Sequence, residues 1–295
     1  MKKPFYFGMT VDDVALKDWS TADHLEKLLA FFRQEEIRAT FFVVPIDETT
    51  NQPFYTLDPR YLTLIQAARK EGFRFGQHGL RHNRFELGIP PAFVLDLPHE
   101  VENKRWVEAN RDPLLKELTV ELCRSRICKG RKLLEEAFGF PVESFRAPAL
   151  QESPAMFEAL KAEGFLADSS SLLQETAYDY YLDRMDAIPQ EITRERWEAL
   201  HQKGHGLSFP LTCDYTWDLH DNHYDKVMAM AQHDFRQCLE NELPFVTVCH
   251  VNPVFDGEGI RFLHEFYQFA KETTAAAGQD LQFKTLEELA TLYNL

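Results

Sequence analysis

Phe5-Tyr6-Phe7-Gly8-Met9-Thr10-Val11 is a short apolar run that ends abruptly on Asp12-Asp13. A helix is expected over residues 23–36, where Leu25, Leu28, Leu29 and Phe32 recur at helical spacing behind Asp23 as cap and Glu26 as its capping-box partner. Ala39-Thr40-Phe41-Phe42-Val43-Val44 follows at once. Its apolar side chains do not alternate with polar ones, which marks a parallel strand covered on both faces. Strand, helix and strand in this order make a βαβ opening.

The rhythm continues outward from that unit. A helix over 59–71 leads through Gly72 into a strand over 73–77. Residues 83–122, broken by Pro90, Pro91, Pro98 and Pro113, read as an inserted segment of loops and short helices that walls a cleft. Beyond it come a helix over 125–138, a strand over 142–145, a helix after Ser153-Pro154 and a strand over 165–167. A loop carrying Ser169-Ser170-Ser171 and Tyr178-Asp179-Tyr180-Tyr181 precedes an extended segment over 188–193. The chain then reads as a helix over 224–242, a strand over 245–249, a helix over 261–277 and a last short helix from Leu286. Such alternation suits an open α/β sheet or a closed barrel. The barrel is favoured, because Asp12-Asp13, His78, Arg146, Asp168 and His250 each follow an expected strand, at the rim where barrel loops converge.

The 295 residues carry 47 Asp and Glu against 32 Lys and Arg, a formal charge of -15. That balance argues against a nonspecific binder of nucleic acid, whose affinity rests on Lys and Arg neutralising phosphates. No run approaches the roughly twenty apolar residues of a transmembrane helix. The opening residues lack an export signal's apolar stretch and cleavage pattern, so the expected residence is cytoplasmic. Five cysteines form no CxxC pair, and Cys249 sits in an apolar run where core packing is the expected role. No GxSxG elbow is present.

The sharpest local signal is His78-Gly79-Leu80-Arg81-His82, because two imidazoles four residues apart can reach one ion. His201 and His205 share the spacing, but they end a helical stretch with no strand-end carboxylate nearby and read as a polar helix terminus. Asp12-Asp13 would be costly inside a strand; coordination by Asp13 offsets that cost while Asp12 turns to another cation. Asp13, His78 and His82 together suit a hydrolytic Zn2+ site with water completing the shell. Fe2+, Co2+, Mn2+ and Ni2+ fit the same ligands.

Thr10-Val11-Asp12-Asp13, His78-Gly79-Leu80-Arg81-His82, Arg146-Ala147-Pro148, Asp168 and Val248-Cys249-His250 together resemble the polysaccharide deacetylase family, carbohydrate esterase family four, over nearly the whole chain. Phe283 to Leu289 is similar to the family's closing segment. The resemblance implies a deformed, seven-stranded (β/α) barrel as a single catalytic domain over 1–295, with the 83–122 insertion. It also implies metal-dependent removal of acyl groups from amino sugars without a covalent intermediate. In it Asp12 is the base, Asp13, His78 and His82 hold the ion, Arg146 orients the base, His250 is the acid, and Asp168 is the acidic partner of His250. Three departures stand out: Gly79 where a hydroxyl residue is usual, no Trp after Asp168, and Val248 in place of Leu. Tyr215 and Trp217, in the acidic and aromatic stretch 214–223, are candidates to stack on a sugar. The expected substrate is an acylated amino sugar that is soluble, lipid-linked or nucleotide-linked, the lipid-linked case placing the protein at the inner membrane face. Two alternatives are metal-dependent hydrolysis of a noncarbohydrate amide, imide or ureide, and a noncatalytic carbohydrate-binding barrel.

Overall fold

The computed structural model describes residues 2–293. Its strands are β1 (Pro4–Val14), β2 (Thr40–Val43), β3 (Arg74–His78), β4 (Ser144–Arg146), β5 (Ala167–Asp168), β6 (Cys213–Asp214), β7 (Phe245–His250) and β8 (Asp280–Lys284). They form one sheet in the order β5-β4-β3-β2-β1-β7-β6, with β8 outside that path against the first half of β1. Every pair is parallel, so each connection crosses over, and the crossover helices cover the sheet. The sheet curls until its two ends approach one another. Isolated bridges Asp168–Ser208 and Leu172–Leu211 join them, and the Asp168 amide donates to the Leu207 carbonyl at 2.8 Å. The architecture is thus a curled, incomplete seven-stranded parallel sheet, the deformed (β/α) barrel expected above, with β8 added on the outside.

β1 is buried along both faces, which is why its sequence shows little alternation. Phe7 lies in an aromatic cluster, its ring 5.0 Å from those of Phe245 and Phe283 and 5.7 Å from Tyr267. Thr10 and Asp12, two residues apart and therefore on one face, both meet Arg146 inside the barrel. Gly8 shares that face: a Cβ there would lie 3.1 Å from Leu289, so the missing side chain lets the last helix, Leu286–Tyr293, approach β1. Glu287 of this helix is buried and accepts from Thr40 Oγ1 at 3.0 Å and Ser144 Oγ at 2.5 Å, tying it to β2 and β4.

Several elements differ from the sequence expectation, each for a local reason. The first helix, Ala22–Gln34, is capped by Thr21, whose hydroxyl accepts from the His24 amide, and not by Asp23. Residues 176–181 form a helix where a loop was expected, because Tyr178, Tyr180 and Tyr181 are buried in the core. The 83–122 segment contains a 17-residue helix, Val101–Glu117, with Pro113 inside it. Ile89, Leu95, Val107, Leu114 and Leu118 form a cluster of their own there, apart from the main core. Among the described residues no helix is long and apolar enough to cross a membrane.

Phe7→Ala should lower unfolding free energy by about 3–5 kcal/mol, the usual cost of truncating a buried Phe. Ile188→Ala, at a residue 85% exposed, should change it by less than about 0.5 kcal/mol. Urea titrations of the two variants check the contrast.

Candidate active site

Register brings the chemistry to one rim. Asp12 stands opposite His250 where β1 pairs with β7, and His78 stands opposite Arg146 where β3 pairs with β4. Strand alternation would send Asp13 to the other face from Asp12. Instead Asp13 takes a left-handed conformation, φ 64°, within an irregularity in the β1–β2 register between Val11 and Val14, and both carboxylates line the same cavity. For a residue with a Cβ that conformation costs roughly 1–2 kcal/mol. His82 is also left-handed, at φ 63°, and so is Gly79, at φ 58°. A Cβ on Gly79 would lie 2.2 Å from Glu86 Oε1 and 2.5 Å from Pro148, so glycine serves this turn where a hydroxyl residue would clash. Glu86, not singled out in the sequence, holds the loop by accepting from the amides of Leu80, Arg81 and Asn83.

Asp13 Oδ1 lies 3.3 Å from His78 Nε2 and 3.1 Å from His82 Nε2. The three candidate ligand atoms fall within 4.8 Å of one another. His78 Nδ1 is 3.0 Å from the Arg146 carbonyl, which can only accept, so Nδ1 carries the hydrogen and Nε2 offers a lone pair toward Asp13. Asp13 Oδ1 is buried without a hydrogen-bond donor. An orphaned carboxylate oxygen beside two imidazole nitrogens fits a divalent cation. Burial raises the Asp13 carboxyl, yet His82 and His78 hold it well below its ordinary value. Burial likewise depresses His78, but Asp12 and Asp13 raise it overall.

Asp12 Oδ1 accepts from Arg146 Nη1 at 2.8 Å. The guanidinium is fully buried: Nη1 also reaches Thr10 Oγ1 at 2.9 Å, Nε donates to the Ser169 carbonyl at 2.8 Å, and the Phe42 ring lies 4.5 Å away. His250 Nε2 sits 4.0 Å from Asp13 Oδ2, and its Nδ1 is 3.0 Å from Asp214 Oδ2. Burial alone would lower the His250 imidazole, but the Asp214 hydrogen bond and the charges of Asp13 and Asp214 raise it to about 9.

The structure therefore places Asp214, rather than Asp168, against His250. Asp168 lies at the seam of the barrel, accepting from the Ser170 hydroxyl at 2.6 Å, the Ser170 amide at 3.1 Å and the Ser208 hydroxyl at 3.2 Å. Burial pushes its carboxyl up to about 6, with the Ser170 hydrogen bonds opposing. The signal for Asp214 was present in sequence: it closes Leu211-Thr212-Cys213, whose last residue opens β6, but so short a strand carries no periodicity. Thr216 fixes Asp214 by donating to Oδ1 from its amide at 2.9 Å and its hydroxyl at 3.1 Å. Trp217 reaches the site, its ring 4.4 Å from His250. Tyr215 does not; it is buried and donates to Asp234 Oδ2 at 2.8 Å. His201 stacks on Trp197 away from the site, and Cys249 is a buried thiol that burial pushes well up.

Asp12, Asp13, His78, His82 and His250 share a cavity of about 90 Å³ with Arg84, Val94, Leu97, His99 and Glu100 of the 83–122 segment. A family model described as polysaccharide deacetylase matches residues 2–167, which include every residue of this set except His250, whose partner Asp214 also lies beyond the match. Among solved structures the chain is similar to a Mycobacterium smegmatis protein provisionally assigned as a polysaccharide deacetylase, at TM-score 0.60 and 15% identity, covering 99% of this chain and 91% of that one. It is also similar to a Bacillus anthracis pseudoenzyme of carbohydrate esterase family four, at TM-score 0.50 and 12% identity, covering 98% of this chain and 66% of that one. No curated protein matches it by sequence.

In the metal-free protein, the His250 ring should keep its proton through neutral pH and release it near 9. Asp214→Asn removes the hydrogen bond and charge that favour the cation, so the midpoint should fall toward the ordinary 6.5. Imidazole proton shifts followed by NMR against pH give both values.

Proposed function

This chain belongs to the polysaccharide deacetylase family, and we propose that it is a metal-dependent hydrolase that removes an N-acetyl group from an amino sugar. The observation that supports turnover is the joint presence, in one cavity with Asp13, His78 and His82, of a carboxylate held by Arg146 and a histidine held by Asp214. The fold by itself is neutral on this point, since a pseudoenzyme shares it.

In this reading Asp13, His78 and His82 hold a divalent ion, with Zn2+ the first choice for two imidazoles and a carboxylate. The ion supplies Lewis acidity, polarising the acyl carbonyl and making water easier to deprotonate. The remaining work falls to side chains. Asp12, aimed by Arg146, takes a proton from the attacking water as its oxygen bonds to the acyl carbon. His250, protonated on Nε2 and held by Asp214 through Nδ1, gives a proton to the nitrogen as the carbon–nitrogen bond breaks. Acetate and a free amine result. Arg146 acts through Asp12, and Asp214 through His250, so both are positioning residues. Trp217 packs its edge on His250 and offers an apolar wall beside the leaving group. Asp168 contributes to barrel closure in this scheme, and the substrate is an N-acetylated amino sugar, either soluble, lipid-linked or nucleotide-linked.

Zinc-loaded protein should release acetate from N-acetylated amino sugars, measured enzymatically. Asp12→Asn should keep its metal and lose about 10²–10⁴-fold in turnover, the usual contribution of a general base. Asp13→Ala should lose the metal, read by elemental analysis. Turnover that survives in both variants, or is missing from the metal-loaded parent, would sink this assignment.

A further inference from the structure

The geometry points to a substrate that enters end-on, with about one sugar ring engaged, and excludes the interior of a polymer; this rests on the hydrolase reading above. Two aromatic contacts span the rim of the barrel. Phe93, on the helix Ala92–Leu95 of the 83–122 segment, has its ring 4.5 Å from that of Tyr178 on the helix Thr176–Tyr181. That contact joins the chain after β3 to the chain after β5. Trp19, which follows β1, stacks on Trp217, which follows β6, at 5.6 Å.

One wall of the recess is pinned. Glu100 is buried and accepts from Arg84 Nε at 3.2 Å and from Asn103 Nδ2 at 2.7 Å, and Val94 and Leu97 line the same recess. The recess measures about 90 Å³. Pockets that swallow a whole small molecule usually measure about 300–1,000 Å³, so this recess takes an acyl group and leaves the ring at the mouth. A polymer bound through an internal residue needs a groove open at both ends, and the two aromatic bridges block such a path.

A larger cavity of about 800 Å³ lies beside the site, but its lining shares only Leu150 with the recess. The helix Ala92–Leu95 divides the two, with Val94 in the recess and Phe93 and Leu95 in the larger space. The larger cavity therefore does not lengthen the recess into a groove.

The test compares N-acetylglucosamine with its β-1,4-linked hexamer. Mass spectrometry of the zinc-loaded reaction should show acetate lost from a terminal residue of the hexamer and not from its interior. Calorimetry on Asp12→Asn should give affinities for the two sugars within about threefold, since only one ring is engaged. Phe93→Ala, which cuts one bridge, should raise interior deacetylation relative to terminal. Interior residues deacetylated as fast as terminal ones by the parent, or affinity climbing with each added sugar, would overturn end-on entry while leaving the hydrolase reading intact. Terminal-type binding without any acetate release would instead sink the hydrolase reading and support end-on entry. Absence of both binding and release overturns the two together.

Discussion

The buried ion pair between Arg146 and Asp12 is the contact on which the site depends. Removing one partner of such a pair strands a charge in the interior, at a typical cost of about 3–5 kcal/mol. Arg146 is held from several strands at once: Asp12 and Thr10 from β1 and Ser169 just beyond β5 accept from Nη1 and Nε, the face of Phe42 from β2 lies against the guanidinium, and only Nη2 lacks a hydrogen-bond partner. Its own carbonyl accepts from His78 and thereby sets which nitrogen of that ring is bare. One residue on β4 thus fixes the proposed base, a proposed ligand and the spacing of the strands around them.

Strain sits where the ligands are. Asp13 and His82 are both left-handed, and so are Ala149 and Leu150 at the cavity wall. Non-glycine residues hold that conformation only when their surroundings over-determine it. At Asp13 the surroundings are the two histidines; in the 79–86 loop they are the three amides that Glu86 collects.

The two halves of the chain contribute unequal kinds of information. The family match ends at residue 167, within β5, and takes in Asp12, Asp13, His78, His82 and Arg146. Asp214 and His250 come from beyond it, yet the β1–β7 and β6–β7 registers bring them to the same rim. Asp168, which sits at the boundary, belongs to the seam that closes the barrel, where its amide and carbonyl both bond to the 207–209 segment.

Sequence by itself determined the strand-helix alternation, the parallel character of the buried runs and the spacing of His78 and His82, because these are local properties of pattern and period. It also marked Asp12-Asp13, Arg146 and His250, since charged residues interrupting apolar runs are conspicuous wherever they fall. Tertiary structure alone decided that Asp13 turns to the same side as Asp12, which takes a register irregularity that no spacing announces. It alone chose Asp214 over Asp168 as the neighbour of His250: both end strands of two residues, and only the order of strands in the sheet determines which of them lies beside β7. The helix at 176–181 and the aromatic bridges across the rim were illegible for the same reason, since they arise from contacts between segments far apart in the chain.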